Sequence, residues 1–154
     1  GYKTGEDYIG ATPVHMVAYS KITAGYVSGT EKTSSESSIS LYSNLTSAFN
    51  VIKLSVSSTE YYLIENREIS ATGYFTTGGI LITHILSSQS NQNTTSSKRV
   101  DVEEASGTDL DTYGGNTGDS DDYWTSGNSS FRENSKTVSD YSVAGSTMTF
   151  NLSL

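Results

Sequence analysis

The chain has 154 residues, 34% of them hydrophobic and 17% charged, with 28 Ser, 20 Thr and no Cys. That length buries one core, and the sparse apolar residues are gathered into periodic runs, so one ordered, β-rich domain is expected rather than disorder. Disulfides, thiolate zinc sites and cysteine nucleophiles are excluded, a net charge of −8 with nine basic residues argues against nucleic-acid binding, and no apolar run is long enough to span a membrane.

Thr12 is a capping residue type, Pro13 suits a first helical position, and Gly25 suits a C-terminal stop. Met16, Tyr19 and Ile22 recur between them at helical spacing, which predicts a helix over about residues 12–25. Thr30 to Ser38 reads as a hydroxyl-rich loop. The period then becomes two: Ile39 and Leu41 alternate with Ser, and Ile52, Leu54 and Val56 alternate with Lys53 and Ser55. Glu60–Glu68 is aromatic and β-branched, and Gly79–Leu86 is apolar on both faces, as a strand covered on both sides must be. Val100 and Val102 mark a short strand. At the end, Met148, Phe150, Leu152 and Leu154 alternate with Thr147, Thr149, Asn151 and Ser153, placing Phe150 toward the core.

These elements make a mainly β fold: an antiparallel, sandwich-like sheet domain with one N-terminal helix and a long acidic metal-binding loop. The single domain 1–154 divides into a helix region (1–29), a β core (37–104), an acidic Gly/Asp/Ser-rich loop (105–135) and terminal strands (136–154). The chain begins at Gly1 without Met, so removal of an upstream segment is expected.

The net charge is local. Asp101, Glu103, Glu104, Asp109, Asp111, Asp119, Asp121 and Asp122 fall within 22 residues that contain no Lys or Arg, and the rest of the chain balances nine acids with nine bases. Crowded carboxylates among Gly, Asn and Ser suit calcium, a hard cation that takes six to eight oxygens, though the spacing is not that of an EF-hand. A solvated acidic loop is the alternative. A bound ion also accounts for ordering a loop too long to order itself. Glu104, Asp109, Asp111, Asp119, Asp121 and Asp122 are the candidate ligands. Four sequons, at Asn44, Asn93, Asn128 and Asn151, are possible N-glycosylation sites outside a cell, although a Ser/Thr-rich chain accumulates them by chance.

Catalytic signals are few. His15 and His84 are far apart and neither is followed by Glu, so no His-Glu-x-x-His zinc motif exists in this chain, and no nucleophile elbow or phosphate loop is present. His84 shares a strand face with Ile80, Ile82 and Leu86 and reads as a core histidine with a hydrogen-bonded ring rather than a ligand or base. Glu65, beside Asn66, Arg67 and Glu68, has two readings: buried against a cation it is structural, lining a cleft it is functional.

Tyr61-Tyr62-Leu63-Ile64-Glu65-Asn66-Arg67-Glu68 followed by Gly79-Ile80-Leu81-Ile82-Thr83-His84-Ile85 resembles a motif pair of the immune inhibitor A family of secreted zinc metallopeptidases. Pro13 to Lys21 with Gly25-Tyr26, Val100 to Gly107, and Gly118 to Asp122 resemble three further motifs of that family, in the same order, over roughly residues 10–125. The resemblance implies the part of the peptidase that follows the zinc helix. It would put Met16 near a methionine turn under the zinc and Glu104, Asp119 and Asp122 at a calcium site. Asp121 stands where the family has Gly, Thr83 where it has Trp, and Leu86 where it has Asp. The zinc helix and catalytic Glu are not in this chain.

Two functions are therefore expected in competition. One is a non-catalytic C-terminal segment of a secreted metallopeptidase-like protein, with no zinc in this chain alone, supporting a peptidase fold with an upstream or partner segment that carries the zinc helix. The other is an extracellular structural protein that pairs with copies of itself through exposed strands such as the terminal one.

Overall fold

The computed structural model describes residues 16–68, 78–90, 98–107 and 120–154. The chain runs α1 (Ala18–Thr23), β1 (Gly29–Glu31), β2 (Glu36–Tyr42), β3 (Val51–Ser55), β4 (Glu60–Arg67), β5 (Gly79–Leu86), β6 (Val100–Glu103), a 3₁₀ turn (Ser120–Asp122), β7 (Phe131–Glu133), β8 (Lys136–Ser139) and β9 (Thr147–Ser153). Two sheets result. A five-stranded sheet has the order β1-β3-β4-β5-β6, and a four-stranded sheet has the order β2-β9-β8-β7.

The mainly β character is as expected, but the larger sheet is mixed rather than antiparallel. β1 pairs parallel to β3, with Gly29 opposite Val51 and Glu31 opposite Lys53. The cause is β2, which intervenes in sequence but belongs to the other sheet, so the chain returns beside β1 in the same direction. The stretch expected as a loop from Thr30 to Ser38 thus contains the end of β1 and the start of β2. Likewise β7 falls inside the region expected to be loop (105–135).

Helix α1 is shorter than the expected 12–25 span; Thr12, Pro13 and His15 lie outside the described residues. Its end follows the expected signal. Gly25 has φ +78°, and the Gly25 and Tyr26 amides donate to the Ile22 and Lys21 carbonyls, a Schellman closure that a residue with a side chain would strain. Tyr19 and Ile22 pack beside a small cluster of Ala18, Val51, Leu63 and Ile85. Met16, expected on the same stripe, precedes the helix and is exposed.

The main core lies between the sheets. Ile52, Leu54, Tyr62, Ile64, Ile80 and Ile82 of the larger sheet join Ile39, Leu41, Val138, Met148, Phe150 and Leu152 of the smaller one in a single cluster. Met148 and Phe150 are fully buried, as the terminal alternation predicts. A fully buried Leu, Ile or Phe contributes about 1.5–3 kcal/mol, against about 1 kcal/mol for a typical hydrogen bond, so this seam carries the stability and the ladders carry the register.

Strand β9 is not an edge. It pairs with β2 on one side and β8 on the other, so its backbone groups serve this sheet on both flanks. Strand β5 is covered on both faces, as expected: Ile80 and Ile82 point to the seam while Leu81, Thr83 and Ile85, all buried, point away from it.

Candidate functional site

Strand β4 carries the polar residues that the sequence singled out, and its two-residue period sends them to opposite faces. On the outer face Glu65 is fully buried. Its Oε1 accepts the Ala18 amide at 2.8 Å, supplying the cap that the apolar side chain of Val17, the residue before α1, cannot provide. Its Oε2 lies 3.6 Å from Arg67 Nη1 and 3.9 Å from Lys21 Nζ. Arg67 Nη1 also donates to the Met16 carbonyl at 2.9 Å, and the Lys21 ammonium sits 3.9 Å over the Phe49 ring. Burial pushes the Glu65 carboxyl up, an effect that Arg67, the Ala18 amide and Lys21 oppose. Burial likewise pulls Lys21 down, with Glu65 opposing.

Of the two readings of Glu65, the buried, cation-paired one holds. Beside it, Gly79 begins β5 without a side chain because a Cβ there would stand 2.7 Å from the Tyr123 Cβ. Trp124 exchanges both backbone hydrogen bonds with Ile80, which seats the returning chain on β5.

On the inner face, Asn66 reaches the other sheet. Its Nδ2 donates to the Leu41 carbonyl at 3.2 Å and the Gly145 carbonyl at 2.9 Å. Leu41 lies near the end of β2 and Gly145 leads into β9, so one carboxamide ties β4 to both. Asn44 assists from the turn after β2: its Oδ1 accepts the Glu68 amide at 2.8 Å, and Ser43 Oγ donates to Glu68 at 2.7 Å.

At the opposite end of β4 a second polar group closes the mouth between the sheets. The His84 Nε2 lies 3.0 Å from Glu60 Oε1, its Nδ1 lies 3.6 Å from Glu103 Oε1, and its ring stacks on Tyr62 with centroids 4.7 Å apart. Asn134, from the two-residue turn between β7 and β8, donates to the Tyr62 hydroxyl at 2.8 Å and to Glu60 at 3.3 Å. Asn134 and Ser135 have φ of +49° and +62°, the left-handed pair that a tight hairpin requires and that Asn tolerates. Burial, then the charges of Asp101, Glu133 and Glu104, push the Glu103 carboxyl up to about 7. Burial also pushes the Tyr62 hydroxyl up to about 12. His84 is thus a partly buried histidine with a hydrogen-bonded ring, as its strand face implied.

Of the expected calcium ligands, Asp109, Asp111 and Asp119 lie outside the described residues. Asp122 is buried, Asp121 exposed and Glu104 half-buried. The Ala105 amide donates to the Asp122 carbonyl at 3.4 Å, which brings the backbone next to Glu104 alongside Asp122. Among the described residues no three His, Asp or Glu side chains converge on a metal position. Of the sequons, Asn93 is outside the described residues. Asn151 uses its whole carboxamide inside the sheet, accepting the Ser38 amide and donating to Asp140. Asn44 is held by Glu68 as above. Asn128 is exposed, and its Oδ1 accepts the Thr125 amide.

The roles of three residues in these networks were not legible in the sequence: Asn66, Asn134 and Glu103. The Asn134-Ser135 pair between two short runs was the available signal for the hairpin. Comparison with known protein families, with curated proteins and with solved structures finds no match to this chain.

Glu103 sets a pH dependence. Its proton is held more tightly in the folded chain than in the unfolded one, so it contributes stability below about pH 4.5 that is lost as the pH rises to about 7. That interval corresponds to about 3 kcal/mol before the screening that a partly exposed side chain permits. Glu103→Gln should melt higher than the wild type at about pH 8 and show a flatter profile between pH 5 and 8. Thermal melts across that range test this, and identical profiles for the two proteins contradict it.

Proposed function

We propose that the chain is a non-catalytic, β-rich segment of a secreted metallopeptidase-like protein, supporting a peptidase fold with an upstream or partner segment that carries the zinc helix. The observation behind this reading is how the polar residues of β4 are used. Glu65, Asn66 and Arg67 belong to the string that carries the family resemblance, and each is spent on an internal tie: Glu65 on the Ala18 amide, Arg67 on the Met16 carbonyl, Asn66 on the other sheet. Groups so engaged hold a scaffold and the chain entering it. They do not present an acid or base to a substrate.

The sandwich-like arrangement suits that role, since two sheets sharing one apolar seam make a rigid support. The chain alone should hydrolyse no casein, with or without zinc, because it lacks both a ligand pair and a general base. Co-expression with a segment bearing a zinc-binding helix should yield a stable complex. Zinc-dependent hydrolysis by the chain alone, or failure of the two segments to associate, contradicts the reading.

Calcium is proposed for the acidic stretch from Asp101 to Asp122, with Glu104, Asp109, Asp111, Asp119, Asp121 and Asp122 supplying oxygens. Two features support it: the eight acids without a base in the sequence, and the hydrogen bond from the Ala105 amide to the Asp122 carbonyl, which brings the residue after Glu104 beside Asp122. An ion bound only by the folded chain adds about 2.7 kcal/mol of stability at a hundredfold excess over its dissociation constant. The melting temperature should therefore fall when calcium is replaced by excess chelator. An unchanged melt leaves the stretch as solvated surface.

A further inference from the structure

Strand β2 forms one edge of the four-stranded sheet and is seven residues long, long enough to accept a further strand. Opposite Ser40, Thr149 spends both backbone groups on Ser142, its carbonyl accepting the Ser142 amide and its amide donating to Ser142 Oγ, so the polar backbone around Ser40 turns away from β9 and toward the open edge. That edge is not bare. Asn50, just before β3, donates its Nδ2 to the Ser40 carbonyl at 3.0 Å and accepts the Tyr42 amide on its Oδ1 at 2.8 Å.

One residue of an added parallel strand makes this same pair of bonds, to the carbonyl of one residue and the amide two residues on. A single carboxamide therefore fills the pairing slot opposite Leu41. Further along, the register breaks between Glu36 and Ile39, and Ser38 has φ +55°. A bulge of this kind twists an edge away from a flat partner. Glu36, ion-paired with Lys32, puts charge at the strand's start.

We propose that Asn50 is a built-in strand mimic that holds the β2 edge shut against strand addition by a second copy of this chain. The second copy is the occupant because every copy presents the same edge, and its β2 supplies an extended strand of matching length; two-fold pairing of the two β2 strands is antiparallel and needs the same outward Ser40 carbonyl and Tyr42 amide that Asn50 occupies. Asn50 is half-buried, and among the described residues its side chain hydrogen-bonds only to this edge.

Sedimentation velocity over a range of concentrations reads the effect. The wild type should show no association through this edge, while Asn50→Ala should self-associate on the order of tenfold or more tightly, as expected when a paired edge is freed. The double variant N50A/Y42P should return to the wild-type behaviour, because proline removes the outward amide and is tolerated on an edge. Hydrogen exchange on the wild type gives an independent reading: the Tyr42 amide should be protected although it faces outward. A folded N50A that associates no more than the wild type overturns the proposal. So does association of N50A that survives Tyr42→Pro, or an unprotected Tyr42 amide in the wild type.

Discussion

The fold depends on the last turn of the pleat in β4, where three consecutive polar residues are buried in a strand that is otherwise apolar. Alternation sends Glu65 and Arg67 to the outer face and Asn66 to the inner one. Outside, the carboxylate caps α1 and sits between two cations. Inside, the carboxamide binds the backbone of the other sheet. Burying such groups is costly unless each finds partners, and removing one leaves its neighbours stranded. Loss of a partner from a buried ionic group costs about 3–5 kcal/mol, more than the burial of any single apolar residue in the seam. The strand end is therefore a joint: helix, larger sheet and smaller sheet all meet at residues 65–67.

The two ends of β4 do different things. The Glu65 end is sealed, and its charges are matched by nearby cations. At the Glu60 end the inner face is acidic and only partly buried, with Glu60 and Glu103 beside His84 and the charges of Asp101 and Glu133 acting on Glu103. Here the hairpin tip at Asn134 bridges to Tyr62 and Glu60. Aromatic packing continues the bridge, Tyr62 meeting Phe131 edge-on and Trp124 packing against both Phe131 and Tyr141. The apolar seam thus grades into a titratable margin, and the stability of that margin depends on pH while the sealed end holds the sheets together.

Much of this was legible from residue order. Alternating runs named β2, β3 and β9, the aromatic and apolar runs named β4 and β5, Val100 and Val102 named β6, Gly25 named the helix end, and the face of Phe150 followed from period two. Strands β1 and β7 were not legible, because three residues such as Gly29-Thr30-Glu31 or Phe131-Arg132-Glu133 are too short to display a period and are mostly polar. The parallel pairing of β1 was hidden for another reason: it depends on β2 joining the second sheet, which no local pattern encodes. At the candidate site, the string around Glu65 drew attention but not a role, since a buried carboxylate and a cleft carboxylate look alike until Lys21 and Arg67 are placed beside it. Asn66 and Asn50 act on backbone groups, and backbone partners leave no mark on a sequence.

The central claim is that β4 couples both sheets and the helix into one cooperative unit. Native-state hydrogen exchange on the Ala18, Ile64 and Phe150 amides tests it most directly, because these report α1, the larger sheet and the smaller sheet separately. The account predicts that all three exchange only through global opening, with the same free energy and the same denaturant dependence. Exchange of Phe150 or Ala18 through a lower-energy opening that leaves Ile64 protected would contradict it.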